Sequence, residues 1–378
     1  MKAFIHQKDN WPEFTWNSND FLDLLSEARN LQGRLFGKME SLGFDLRNEA
    51  QLDTLTLDVL KSSEIEGEFL NPDQVRSSIA RRLGMEIAGS VDSDRNTEGV
   101  VEMMLDASQN YQQPLSERRI CKWQAGLFPT GMSGGYKITT GKYRTGDKGD
   151  MQVVSGTIGK EKVHFVAPNA KTVSKEMKSF VEWFNSVSID PILKSAIAHL
   201  WLVTIHPFED GNGRIARAVG EICLTESDQS PMRFYSMSAA IERQRKAYYE
   251  ILENTQTLKW TPIDADKGID VTRWIDWFLD CFDSALDHSE ELLEKVMGKS
   301  KFWNKHAKTI LNERQQKVIG KMLEGFDGGI SSSKYGKVCK CSKDTAVRDI
   351  SDLLKKKVFS KMPGGGRSTA YKLITPRV

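Results

Sequence analysis

The chain has 378 residues, 39% of them hydrophobic and 28% charged, and its 53 Lys and Arg against 51 Asp and Glu leave a net charge of +2. That balance excludes a polyelectrolyte, and the length exceeds one ordinary core, so two or three domains are expected. No apolar run approaches the roughly 20 residues that span a bilayer, and the opening MKAFIHQKDNWPEF lacks the apolar heart of a secretory signal, so a cytoplasmic protein with no membrane partner is expected.

Helical spacing dominates. Phe21, Leu22, Leu24, Leu25, Ala28 and Leu31 mark an amphipathic helix after a cap region at 17–19. Leu52, Leu55, Leu57, Val59, Leu60 and Ile65 mark a second, ending near Gly67, a residue suited to the position just past a helix. A third is predicted over 73–83. Between 131 and 168 glycines cluster, and MQVV (151–154) and VHFVA (163–167) read as a β-hairpin. Helices are predicted again over 174–184, 191–204, 213–224, 239–253 and 270–293. Residues 331–378 hold twelve Lys and Arg against three Asp, a local net charge of +9. The five cysteines (Cys121, Cys223, Cys281, Cys339, Cys341) are scattered and odd in number, as expected of reduced thiols.

The densest chemistry lies in HPFEDGNGRIAR, residues 206–217. Pro207 disfavours helical geometry at His206, which is therefore expected at a helix end beside a loop. Gly211, Asn212 and Gly213 fall at the start of the next helix, where unpaired N–H groups and the helix dipole favour an anion. Arg214 and Arg217 are three apart, on one helical face, and can fork onto phosphate oxygens. Asp210 is placed to hold a divalent cation that bridges phosphates. His206, with an ordinary pKa near 6.5, can accept a proton from an incoming nucleophile. Together these read as transfer of a phosphate-containing group.

The segment resembles the active-site motif of the Fic family, HPFx[D/E]GNGRxxR, at every specified position. The resemblance implies a helical Fic core with a β-hairpin flap and transfer of AMP from ATP to a Ser, Thr or Tyr hydroxyl of a target protein. His206 would be the general base, Asp210 the Mg²⁺ ligand, Gly211, Asn212, Gly213 and Arg214 the phosphate cradle, and Arg217 the holder of the γ-phosphate. Gly213 stands where phosphate-transferring relatives carry lysine, which favours AMP transfer. GKYR (141–144) and MQVV resemble the flap that aligns the target segment, with Val153 and Val154 as its clamp. IERQRKAYYEILENTQ (241–256) is similar to the family's nucleobase-pocket segment, with Tyr249 and Gln256 as pocket residues. SSEIEG (62–67) resembles the family's inhibitory motif, [S/T]xxxE[G/N]: Ser62, Glu66 and Gly67 match, and Glu66 would pair with Arg217 and exclude the γ-phosphate.

Residues 330–373 scan as helix, turn, longer helix and two strands around Gly364–Gly366, an order that resembles a winged helix-turn-helix. Ala346, Ile350, Leu353 and Leu354 form the apolar face of the longer helix. Lys343, Thr345 and Arg348, with Arg367 in the wing, are the candidates for DNA contact. The sequence thus reads as a mainly α protein in three parts: an N-terminal helical domain with the inhibitory motif (1–90), a Fic catalytic core (91–297) and a winged helix-turn-helix (298–378). Two alternatives stand beside AMP transfer: a DNA-binding regulator that senses nucleotide, and removal of AMP from a modified target through the same site. Self-modification and a homodimer are left open.

Overall fold

The computed structural model describes residues 3–87, 89–147, 149–157, 160–259, 268–323, 329–363 and 369–374. The chain divides into two compact units, Met1–Ser289 and Glu290–Val378. Among the described residues no helix is long and apolar enough to cross a membrane.

The first unit is built of helices. A short strand β1 (Phe14–Thr15) precedes α1 (Leu22–Glu40), α2 (Phe44–Ile65) and α3 (Pro72–Arg82). α1 starts where the apolar spacing predicts. α2 ends at Glu66 and Gly67, whose φ is +82°. The helices α4 (Arg95–Gln109) and α5 (Glu117–Leu127) occupy a stretch that apolar periodicity leaves blank. In α4, Gly99, Val100, Val101, Met103, Met104, Leu105, Ala107 and Ser108 are all buried. Glu98, Glu102, Asp106 and Gln109 are left as a narrow polar stripe at helical spacing. Gly99 lets α5 approach closely: a Cβ there would lie 1.9 Å from the Gly126 carbonyl oxygen.

Two hairpins follow, β2 (Met132–Ser133) with β3 (Tyr136–Lys137), and β4 (Gln152–Ser155) with β5 (Lys162–Val166), the second where the alternating runs lie in the sequence. A bulge between Val153 and Val154 shifts the register of β4. Then come α6 (Ala170–Ser186), α7 (Pro191–Ile205) and α8 (Asn212–Asp228). α7 is the centre of the unit: every residue from Ile192 to Ile205 is buried. Its start is set by Asp190, which accepts from the Ile192 N–H at 2.8 Å, and by Pro191 at the first position, where no N–H is needed. The single helix predicted over 239–253 is two, α9 (Met237–Arg243) and α10 (Arg245–Gln256), broken at Gln244, whose φ of −108° and ψ of 25° leave the helical region. β6 (Ile269–Asp270) pairs in parallel with β1, and the part of α11 (Thr272–Lys305) up to Ser289 belongs to the first unit.

Polar anchors hold α2 and α1 on this core. Asp58 of α2 accepts from Ser236 Oγ at 2.6 Å and from the Ser238 N–H at 3.0 Å, both at the start of α9. Arg233 is buried between Glu221 and Asp228, at 2.6 Å from each. Asp228 also accepts from Tyr235 and from Gln32 of α1. In this cluster the buried Arg233 is thus paired with two acids, as burial demands.

In the second unit α12 (Glu313–Leu323), α13 (Ser332–Cys339) and α14 (Lys343–Lys355) pack around Phe302, Ile319, Tyr335, Ala346, Ile350 and Leu353. β7 (Phe359–Lys361) and β8 (Tyr371–Leu373) pair antiparallel beside them. Ser342 caps α14 through the Thr345 N–H, and Ala346, Ile350 and Leu353 face inward. Leu354 is only partly buried, on the rim of that core.

Candidate active site

His206 terminates α7 in the left-handed conformation, φ 50° and ψ 58°. Few non-glycine residues adopt it, and such strain is held only where the surroundings enforce it. Here Arg144 enforces it. Its backbone N–H donates to the Pro207 carbonyl at 2.9 Å, its Nε to the His206 carbonyl at 2.8 Å and its Nη2 to the Pro168 carbonyl at 2.5 Å. The His206 Nδ1–H donates to the Val203 carbonyl at 3.2 Å, which fixes the tautomer and leaves Nε2 with a free lone pair. Burial lowers the imidazole to about 4, with nearby Arg144 acting in the same direction, so the ring is neutral at neutral pH.

The loop between α7 and α8 is closed by Asn212. Its Oδ1 accepts from the Phe208 N–H at 3.0 Å and its Nδ2 donates to the Phe208 carbonyl at 2.9 Å. The Asn212 side chain is thus spent on the loop itself, and its share in an anion cradle rests with the backbone. Gly211, at φ +89°, starts α8 without a side-chain cap, and a Cβ there would press on Phe128 and Leu127. An uncapped helix start is electropositive. Asp210 sits half-buried at its mouth, accepting from the Gly211 N–H at 2.6 Å and from Ser133 of the first hairpin. Among the described residues no group of three metal-ligating side chains occurs. Asp210 alone still fits Mg²⁺, which is commonly held by one carboxylate with substrate phosphates and water.

Arg214 and Arg217 lie behind this helix start, 1% and 5% exposed. Arg217 donates Nε to Ser62 Oγ at 2.9 Å, and Nη2 to the Ser62 carbonyl at 2.7 Å and to Glu66 Oε1 at 2.8 Å. The three residues SSEIEG shares with the inhibitory pattern therefore converge on this arginine: two as ligands and Gly67 as the turn behind them. Arg214 donates Nη1 to Glu68 Oε2 at 2.5 Å and lies over the Phe128 ring. Arg214 Nε and Arg217 Nη1 are buried with no hydrogen-bond partner. Arg47 Nε and Arg233 Nη2 are in the same state, so this feature alone does not mark a ligand site. The Glu66 carboxylate also covers Gly213, where a Cβ would come within 2.1 Å of Oε1.

The other predicted residues are more dispersed. Tyr249 is 39% exposed and donates its hydroxyl to the Ile65 carbonyl at 3.1 Å, tying α10 to the end of α2. Gln256 is buried and donates to Thr204 at 3.1 Å. Val154 is exposed on the second hairpin, whereas Val153 turns inward toward Phe165. Val154 and Val163 line a groove of about 590 Å³ with Tyr136, Lys137, Asp150 and Glu209. Lys343 and Arg348 are exposed on α14, Thr345 is half-buried with its hydroxyl on Ser342, and Arg367 lies outside the described residues.

Several residues of the site carry no local signal. Gln124 is buried, accepts from the Gly141 N–H at 2.6 Å and reaches the Asp210 carbonyl at 3.5 Å. Ser155, His164 and Glu253 form a relay, with 2.6 Å from Ser155 Oγ to His164 Nε2 and 2.6 Å from Nδ1 to Glu253, that ties the hairpin to α10.

Residues 114–224, from just before α5 to near the end of α8, match the Fic/DOC family, and residues 4–85 match a domain of unknown function, DUF4172. Over 71 residues the chain is 39% identical to Protein adenylyltransferase fic-1 of Caenorhabditis elegans, covering 18% of this chain and 14% of that protein. It is 27% identical over 230 residues to the protein of the same name from Caenorhabditis briggsae, covering 57% and 43%. It is 30% identical over 125 residues to Protein adenylyltransferase Fic of Drosophila willistoni, covering 32% and 22%. The chain thus spans less than half the length of each of these relatives. Among solved structures it is similar to a Fic family protein from Desulfovibrio desulfuricans, with a TM-score of 0.49 and 19% identity over 93% of this chain and 95% of that one. Fic-1 from C. elegans gives a TM-score of 0.49 and 22% identity over 73% and 74%. The motif and the family match fall on the same residues, and the segment from 114 to 224 is a Fic/DOC family domain.

Proposed function

We propose that the chain transfers AMP from ATP to a Ser, Thr or Tyr hydroxyl of a target protein and is held at rest by Glu66. The observation that carries this reading is the convergence of an uncapped helix start, two buried arginines and the free Nε2 of His206 on one stretch, residues 206–217. The name of these relatives, protein adenylyltransferase, points the same way.

In this reading the target hydroxyl oxygen attacks the α-phosphorus and the bond to pyrophosphate breaks. The hydroxyl proton passes to His206 Nε2, the lone pair left free by the Nδ1 hydrogen bond. The α8 N-terminus and Arg214 stabilise phosphate charge, and Arg217 fixes the terminal phosphate. Asp210 would hold Mg²⁺, which when bound neutralises phosphate charge. The groove beside Val154 and Val163 receives the target as an extended segment added to a strand edge. Glu66 opposes all this by occupying Arg217 and the space over Gly213.

Glu66→Gly should raise transfer of label from α-labelled ATP to protein at least tenfold, and adding His206→Ala should abolish it. A Glu66→Gly protein no more active than the parent would sink the inhibitory role, and a labelling His206→Ala variant would sink the base. Loss of label from pre-modified protein in the same assay tests the reverse reaction.

For the C-terminal unit we propose a winged helix that contacts DNA through α14. The supporting observation is that Lys343 and Arg348 are both exposed on the second helix of a helix-turn-helix, within the stretch of net charge +9.

A further inference from the structure

The inhibitory segment does not end at Glu66. Gly67 turns the chain at φ +82°, and the Glu68 N–H donates back to the Ser63 carbonyl at 3.0 Å. That turn brings a second carboxylate onto α8. Glu68 Oε2 sits 2.5 Å from Arg214 Nη1, while Glu66 Oε1 sits 2.8 Å from Arg217 Nη2. Two acids two residues apart thus hold two arginines three residues apart, one turn of the same helix. Each arginine gives a single terminal nitrogen to its acid and keeps one buried nitrogen unpartnered, Arg214 Nε and Arg217 Nη1.

We infer that Glu68 is a second inhibitory carboxylate, one that competes with nucleotide phosphate for Arg214 as Glu66 does for Arg217. This rests on the AMP-transfer reading above. Two negative groups bridging two buried arginines reproduce the charge pattern of a polyphosphate, so phosphate must displace both. The two pairs are not equal. The Glu68 side chain is 44% exposed against 30% for Glu66, so water and salt screen it more. Glu66 is therefore the stronger lock and Glu68 the weaker, and removing Glu66 alone leaves Arg214 still occupied.

The test is a four-protein series in the full chain: parent, Glu66→Gly, Glu68→Gln and the double variant. Transfer of label and binding of a fluorescent ATP analogue are measured at low and high salt. The double variant should show a KM for ATP about two- to fivefold below that of Glu66→Gly, the range of one partly exposed ion pair. The gap should close as salt rises. Glu68→Gln alone should tighten nucleotide binding to the otherwise unchanged chain. Glu68→Ala should repeat the result, and equal melting temperatures would show that folding is not the cause. If the double variant matches Glu66→Gly at low salt, or if its KM rises, Glu68 does not compete and the inference fails. If Glu66→Gly transfers no AMP, the functional reading fails instead, and the binding arm still decides whether Glu68 restrains nucleotide.

Discussion

At His206 two backbone features prepare one side chain. The left-handed end of α7 turns the ring out of the helix, and the Val203 carbonyl holds Nδ1. Burial then keeps the ring neutral, with its pKa lowered to about 4. A base must be unprotonated to act, so the proposed activity should persist well below the ordinary histidine range. In Glu66→Gly protein kcat/KM should stay level between about pH 8 and about 6 and halve only below about 5. A profile that halves near 6.5 would mean that the ring is solvated when it works. The same shift has a stability sign: the unfolded ring binds a proton at a higher pH than the folded one. The contribution of His206 is therefore present above about 6.5 and lost as pH falls toward about 4.

Among the elements, α2 would carry the proposed regulation, because its last turn delivers Ser62 and Glu66 to Arg217. What holds α2 there is Asp58, two turns earlier, which accepts from Ser236 and from the Ser238 N–H on α9. Asp58→Ala leaves buried donors unpaired and should cost about 1–3 kcal/mol of stability, read as a lower melting temperature. By loosening α2 it should also raise basal labelling, though less than Glu66→Gly does. Basal labelling unchanged alongside a lower melting temperature would show that the Glu66 contact does not depend on this anchor. The second hairpin is fastened in a comparable way, by the Ser155, His164 and Glu253 relay to α10.

For the molecule as a whole, a chain of net charge +2 keeps a strongly basic stretch in one of its two compact units. If α14 contacts DNA, affinity for a duplex should fall with salt in proportion to the phosphates neutralised. A fall of roughly ten- to hundredfold between about 50 and 200 mM salt would correspond to about two to four contacts. Lys343→Ala with Arg348→Ala should weaken binding and flatten that slope. A full-length protein that shifts no duplex at low salt would remove this reading.

The helical class, the hairpin at 152–166 and the loop between α7 and α8 were legible because each depends on neighbours in sequence: periodicity, alternation and a proline or glycine in the right place. The same holds for Ser62, Glu66 and Gly67, which lie within one turn of α2 and its end. Helix α4 was less legible, since its polar stripe of Glu98, Glu102 and Asp106 is one residue wide and its other faces are packed. Not legible were Arg144 on the His206 carbonyl, Gln124 beside Asp210, or Glu68 on Arg214, partners separated by 62, 86 and 146 positions. The sequence by itself determined which groups could do the chemistry and in what order they stand. The tertiary structure alone decided what each of those groups is given: a fixed tautomer for His206, a loop to close for Asn212, and a carboxylate apiece for the two arginines. Those contacts form between distant segments only when burial brings them together, and burial is what makes leaving a charge unpaired costly.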